Sequence, residues 1–157
     1  RGISPGTYTR LTRGRAVIMS DTPAEIRDHM EPVRRVRWAV KDGEKPRCLV
    51  HGLGLGMIAR ALLLEGAESV TVVEQSEDVI TLVGDWLRTQ GNVEIVHADA
   101  LEWKPARGSR WDVVWHDIWD NICADNLDSM KTLHRRFGRR SGWQGSWARG
   151  LCERYAS

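Results

Sequence analysis

Three glycines at alternate positions, Gly52, Gly54 and Gly56, follow a short apolar run and decide what this chain can become. The run is Cys48-Leu49-Val50-His51, and a second one, Val70-Thr71-Val72-Val73, ends in Glu74. Between them Met57, Ile58, Ala61, Leu62 and Leu64 repeat at helical spacing, and Gly66 stands where glycine commonly ends a helix. The order is strand, tight turn, helix, strand, with a carboxylate at the end of the second strand. Backbone can come close to a ligand only where side chains are absent, and a helix starting beyond the glycines presents unpaired N–H groups. This is the layout of a site for a nucleoside-containing cofactor.

The alternation continues. Ser76 is placed to cap a helix whose first turn holds Glu77 and Asp78, and Val79, Ile80, Val83, Trp86 and Leu87 give it an apolar face. Gly91-Asn92 turns the chain into a strand at 93–97, and a strand at 111–117 follows a polar loop. Leu127, Met130, Leu133 and Phe137 predict a helix over 124–137, and the tail at 142–155 reads as one more short helix. Ahead of the glycines, 7–12 and 15–19 are β-prone runs that predict a hairpin about Arg13-Gly14. Thr22-Pro23-Ala24-Glu25 is a capping box opening a helix to Met30, after which Pro32 interrupts and 33–40 resumes.

The expected fold is α/β, a Rossmann-like three-layer sandwich with a shortened, mostly parallel sheet and a small N-terminal β-hairpin. Its parts are a hairpin and helix at 1–45, the core at 46–140, and a basic, aromatic tail helix at 141–157. Four core strands are expected, so the sheet would end early. Trp111 and Trp115 fall on one face of the last of them and are expected in the core.

A length of 157 residues suits one domain with a core that needs neither metals nor disulfides. Cys48, Cys123 and Cys152 are odd in number and widely spaced, which predicts reduced thiols and a cytoplasmic protein. No run approaches the ~20 apolar residues of a membrane span. Residues 1–15 carry no signal-peptide pattern, and the missing initiator Met fits a trimmed chain. No His, Cys, Asp or Glu cluster has metal-ligand spacing, so no metal is expected.

Charge is unevenly spread. Residues 1–47 hold 11 Lys/Arg against 6 Asp/Glu, residues 48–130 hold 5 against 14, and residues 131–157 hold 7 against 1. An acidic middle between basic ends suits a cationic small ligand in the centre, with the ends touching something anionic or each other. In the tail, Arg135, Arg136, Arg139 and Arg140 interleave with Phe137, Trp143 and Trp147, as in nucleic-acid grooves and in self-association surfaces. Packing on the chain's own or a partner subunit is the preferred reading. A homo-oligomer is therefore expected, with nucleic acid the secondary partner.

The glycine spacing narrows the cofactor. A dinucleotide turn, G-x-G-x-x-G, needs its third glycine where this chain has Met57. Glu74 is placed to accept from both ribose hydroxyls, and Asp99-Ala100, just past the third strand, to accept from an adenine amino group. Asp117 ends the fourth strand in His116-Asp117-Ile118-Trp119-Asp120. Open α/β sheets bind ligands at these carboxyl ends. Asp117 and Asp120 are candidate bases, since paired carboxylates can be tuned toward neutral pH. Trp119 is placed to stack on adenine or wall off an acceptor site. His97 and His116 read as satisfied strand residues, and His51 as bonding its local turn.

With these residues the chain resembles the class I S-adenosylmethionine-dependent methyltransferase superfamily, most closely its spermidine synthase-like branch, over 46–120. The resemblance implies S-adenosylmethionine or its decarboxylated form as cofactor. Gly52, Gly54, Gly56, Glu74, Asp99, Ala100, Asp117 and Trp119 would hold it. It also implies Asp117 as the base that deprotonates an attacking amine, with Asp120 three residues on. Val50 stands where methyltransferases usually carry an acid and polyamine synthases do not, whereas Leu55 replaces an Asp of the synthase loop. The expected function is a methyltransferase-like enzyme acting on a small-molecule acceptor. The alternatives are aminopropyl transfer to a polyamine, or a catalytically silent cofactor-binding or interaction domain.

Overall fold

The computed structural model describes residues 7, 9–20 and 23–157. The chain opens with an antiparallel hairpin, β1 (Arg10–Arg13) and β2 (Ala16–Ser20), then α1 (Pro23–Asp28) and α2 (Met30–Lys41). The core runs β3 (Arg47–His51), α3 (Met57–Leu64), β4 (Ser69–Glu74), α4 (Glu77–Arg88), β5 (Val93–His97), β6 (Trp111–His116), α5 (Asn126–Phe137), β7 (Ser141–Ser146) and α6 (Arg149–Ala156). The five core strands form one sheet in the order β5-β4-β3-β6-β7, every neighbouring pair parallel, and the hairpin lies outside it.

Two apolar layers hold the sheet. On one face Val33 and Val36 of α2, Ile58 and Leu62 of α3, and Val83 and Leu87 of α4 pack on Cys48, Val50, Val70, Val72, Val113 and Trp115. On the other, Leu133 and Phe137 of α5 pack on Leu49, Val73, Val114 and Trp111. Each Val or Leu fully buried in this way contributes about 1.5–3 kcal/mol. The connections through α3 and α4 carry the chain outward from β3 on the first face. The connection through α5 carries it outward from β6 on the second. The strand order therefore switches direction between β3 and β6, and a crevice opens at their carboxyl ends.

The tail departs from expectation. It contributes β7, a fifth parallel strand, before its helix, so the sheet does not stop at four. Two glycines explain both the strand and its weak signal. A Cβ on Gly142 would stand 2.9 Å from the Asp112 carbonyl oxygen, and one on Gly145 would meet the rings of Trp143 and Trp115 within 3 Å. Glycine therefore lets β7 close on β6, while removing the alternation that marks a strand.

Other details also shift. The break between α1 and α2 falls at His29, and Pro32 sits in the first turn of α2, where its missing N–H has no helical partner to lose. Trp111 and Trp115 do not share a face. Trp111, at the strand's first residue, packs toward α5 with Trp103 and Phe137, while Trp115 lies in the opposite layer. Ser76 caps α4 as expected, its Oγ accepting from the Val79 N–H at 3.4 Å. The capping residue Thr22 lies outside the described residues. Among the described residues no helix is long and apolar enough to cross a membrane.

Candidate active site

A cleft of about 620 Å³ occupies the crevice over β3 and β6, within the size range of small-molecule sites. Gly52, Gly54, Glu74, Asp99, Ala100, Asp117, Trp119 and Asp120 all line it. Of the residues expected to hold a cofactor, only Gly56 stands back from its wall.

The glycines do different work. At Gly52 the φ is +101°, and a Cβ would lie 2.0 Å from the Asp117 carbonyl oxygen, so this glycine brings the ends of β3 and β6 together. Gly56 has φ +75° and faces Val83 and Trp86, where a Cβ would meet them at 3.0 and 3.1 Å. It seats the start of α3 against α4. Gly54, at φ +50°, lies between them and lines the cleft alongside Gly52.

Glu74 locks this loop in place. Its Oε1 accepts from the Leu53 N–H at 2.9 Å and its Oε2 from the Ser76 N–H at 2.9 Å. A carboxylate offers about four acceptor positions. Two therefore serve the protein, and the rest suit a vicinal diol. Asp99 accepts from the Leu101 N–H at 3.0 Å, a local turn that holds its carboxylate at the cleft, while Ala100 is buried beneath. Trp119 is held in place by its Nε1–H, which donates to Ser129 Oγ at 2.9 Å. Apolar walls come from Val73, Val79, Leu101 and Ile118, and the hairpin adds Leu11 and Arg13 at the rim. Among the described residues, four carboxylates against one guanidinium make the cleft receptive to cations.

At the end of β6, the Asp117 N–H donates to the His51 carbonyl at 2.8 Å, continuing the β3–β6 pairing. Its Oδ2 lies 2.7 Å from His29 Nε2. Asp120 is exposed on the same wall. Nothing near His29 in the sequence pointed to this partnership, because the two residues are 88 positions apart.

Directly beneath the cleft lies a row of buried polar groups. His51 does not bond its own turn. Its Nδ1 meets His116 Nδ1 at 2.8 Å, and His116 Nε2 reaches Gln144 Oε1 at 2.9 Å. The amide oxygen accepts, so His116 carries its proton on Nε2, and His51 Nδ1–H donates into the bare His116 Nδ1. Gln144 Nε2 then donates to the His134 carbonyl at 2.8 Å. The atom left without a partner, His51 Nε2, is therefore a lone-pair acceptor rather than an orphaned N–H.

The row is neutral throughout. Burial pushes His51 well below the usual imidazole range, with His116 and Arg136 adding to the effect. Burial likewise lowers His116 to about 4, against the raising effect of its bond to Gln144. His97 is satisfied at the surface, its Nε2 donating to the Gln75 carbonyl at 2.9 Å.

Two of the tail arginines turn inward. Arg136 donates to the carbonyls of Ala100, Leu101 and Trp103, and Arg140 to those of Ala106 and Ser109. They tie down the long β5–β6 connection, which has no helix of its own.

No protein-family model and no curated protein sequence matches the chain. Solved structures do. The N-methyltransferase NodS from Bradyrhizobium japonicum superposes with a TM-score of 0.61 at 16% identity, over 86% of this chain and 75% of that one. A candidate RNA methyltransferase from Pyrococcus horikoshii gives 0.58 at 18% identity, over 79% and 59%. A candidate methylase from Haemophilus influenzae gives 0.56 at 19%, over 71% and 64%. The chain thus spans less than two thirds of the last two. NodS has also been solved with S-adenosylhomocysteine bound. Parallel sheet, flanking helices and these superpositions agree on the architecture: the chain has a Rossmann-like methyltransferase fold.

Proposed function

We propose that the cleft binds S-adenosylmethionine and that the chain transfers its methyl group to an acceptor held beside Asp117 and Asp120. The observation that carries this is Glu74. One carboxylate fastens the glycine loop to the β4–α4 turn and lines the cleft beside Gly54, with acceptor capacity left for a ribose diol. Asp99 and buried Ala100 form the neighbouring wall, suited to an adenine ring and its amino group. The absence of a phosphate-binding third glycine and the acidic lining favour an adenosyl sulfonium over a dinucleotide.

When bound, that cofactor supplies an electrophilic methyl group. The chain's own residues align and dry the acceptor and take up its proton. Asp117 is the base of this reading, Asp120 assists at the rim, and Trp119, anchored by Ser129, walls the acceptor side. Aminopropyl transfer would need an acid at the position of Leu55, and the solved neighbours are described as methyl-transferring proteins.

Calorimetric titration of the chain with S-adenosylmethionine and S-adenosylhomocysteine tests the reading. Binding of both in the micromolar range is expected. Affinity no tighter than millimolar for either would overturn it.

A further inference from the structure

A carboxylate that acts as a base must be ionised and aimed. Asp117 has one side-chain partner among the described residues, His29, at 2.7 Å. The two side chains are 9% and 8% exposed. Asp117 lines the cleft and His29 does not, so the imidazole stands behind the carboxylate. The ring is itself held, stacked on Trp147 at 6.4 Å and edge-on to Trp115 at 6.2 Å. It occupies the single-residue break between α1 and α2. A buried pair of this kind contributes little to stability beyond what an apolar pair of equal volume would. Its place at the wall of the cleft points to the chemistry instead.

We propose that His29 is the positioning residue of this site: its Nε2–H holds Oδ2 of Asp117 and leaves the other carboxylate oxygen facing the acceptor. The inference rests on the reading of the cleft as a methyl-donor site. In the transfer, the acceptor's lone pair forms the bond to the methyl carbon and the carbon–sulfur pair returns to sulfur. The acceptor's proton passes to the free oxygen of Asp117. Charge balances, since a sulfonium and a carboxylate become a thioether and a carboxylic acid.

The arrangement makes His29 a reporter of the donor's charge. A sulfonium drawn to one side of the carboxylate competes with an imidazolium on the other. Asp117 lies within ion-pair distance of His29 on one side. Asp28 precedes it on its own segment, and Trp115 of β6 and Trp147 of the turn before α6 pack on its ring.

The test uses the whole chain labelled with ¹⁵N-histidine. The His29 signals, assigned by their loss in His29→Gln, are followed against pH for the free protein, with S-adenosylmethionine, and with S-adenosylhomocysteine. The expected result is an Nε2–H tautomer whose titration moves to lower pH with the sulfonium and stays put with the thioether. Asp117→Asn should move it downward in the free protein. Calorimetry in parallel keeps the two ideas apart. If both ligands bind and His29 titrates identically in every state, the positioning role is wrong and the cofactor reading stands. If neither ligand binds, the cofactor reading fails and takes the role with it. Should Asp117→Asn fail to fold, the comparison of the two ligands on the unaltered chain decides.

Discussion

Glu74 carries two duties on one side chain, and they can be separated. Its bonds to the Leu53 and Ser76 amides belong to the fold, while in the proposed reading its remaining acceptor capacity serves the ligand. Hydrogen bonds to a charged group contribute roughly 1.5–3 kcal/mol. Glu74→Ala is therefore expected to weaken S-adenosylmethionine binding about 10- to 150-fold by calorimetry, with a lower thermal midpoint because two loop amides lose their acceptor. Glu74→Gln, which keeps one carbonyl oxygen, should fall between. At this scale the sequence was informative wherever a residue acts through its neighbours in the chain. The glycines, Glu74 and Asp99 could be read from spacing because strand ends and turns are local. His29 could not, since its partner is brought to it only by the sheet.

Among the elements, β7 and the polar row beneath the cleft belong together, because Gln144 and Ser146 of that strand receive the histidines. His116 Nε2 bonds Gln144, and His134 Nε2–H donates to Ser146 Oγ at 2.7 Å. The row works only while its histidines are neutral, because a second proton on His116 would set two Nδ1–H groups against each other. The folded chain holds His116 near 4, against 6.5 for a free imidazole, and burial lowers His51 as well. The unfolded chain therefore binds protons first as pH falls. Stability contributed by the row should be complete above about 6.5 and lost progressively toward 4. Urea unfolding between pH 7.5 and 4.5 measures it, and His116→Gln should flatten the slope in that window. A slope unchanged by that substitution would contradict the neutral row. From β3 to α5 the helices were legible in their apolar period and the strands in short apolar runs bounded by turns, β3 and β4 being buried on both faces. β7 was not: glycines at 142 and 145 serve close packing, and Gln144 faces a buried histidine where a strand pattern calls for an apolar residue.

Across the whole molecule, charge and topology converge on the same crevice. The acidic middle of the chain delivers four carboxylates to the cleft at the point where the strand order reverses. Arginines of the basic tail, which resembled a nucleic-acid groove, are instead committed in part to the chain's own carbonyls, as Arg136 and Arg140 are. The Rossmann-like fold was legible at this scale because alternating strands and helices admit few arrangements. The closure of the cleft by the hairpin was not, since Leu11 and Arg13 reach it from outside the sheet. A crystal structure of the chain grown with S-adenosylhomocysteine tests the central claim most directly. The expected result is ribose hydroxyls on the Glu74 carboxylate, adenine between Asp99 and the wall at Ala100, and sulfur on the side of Asp117. Ligand density elsewhere, or a cleft that stays empty at saturating ligand, would contradict it.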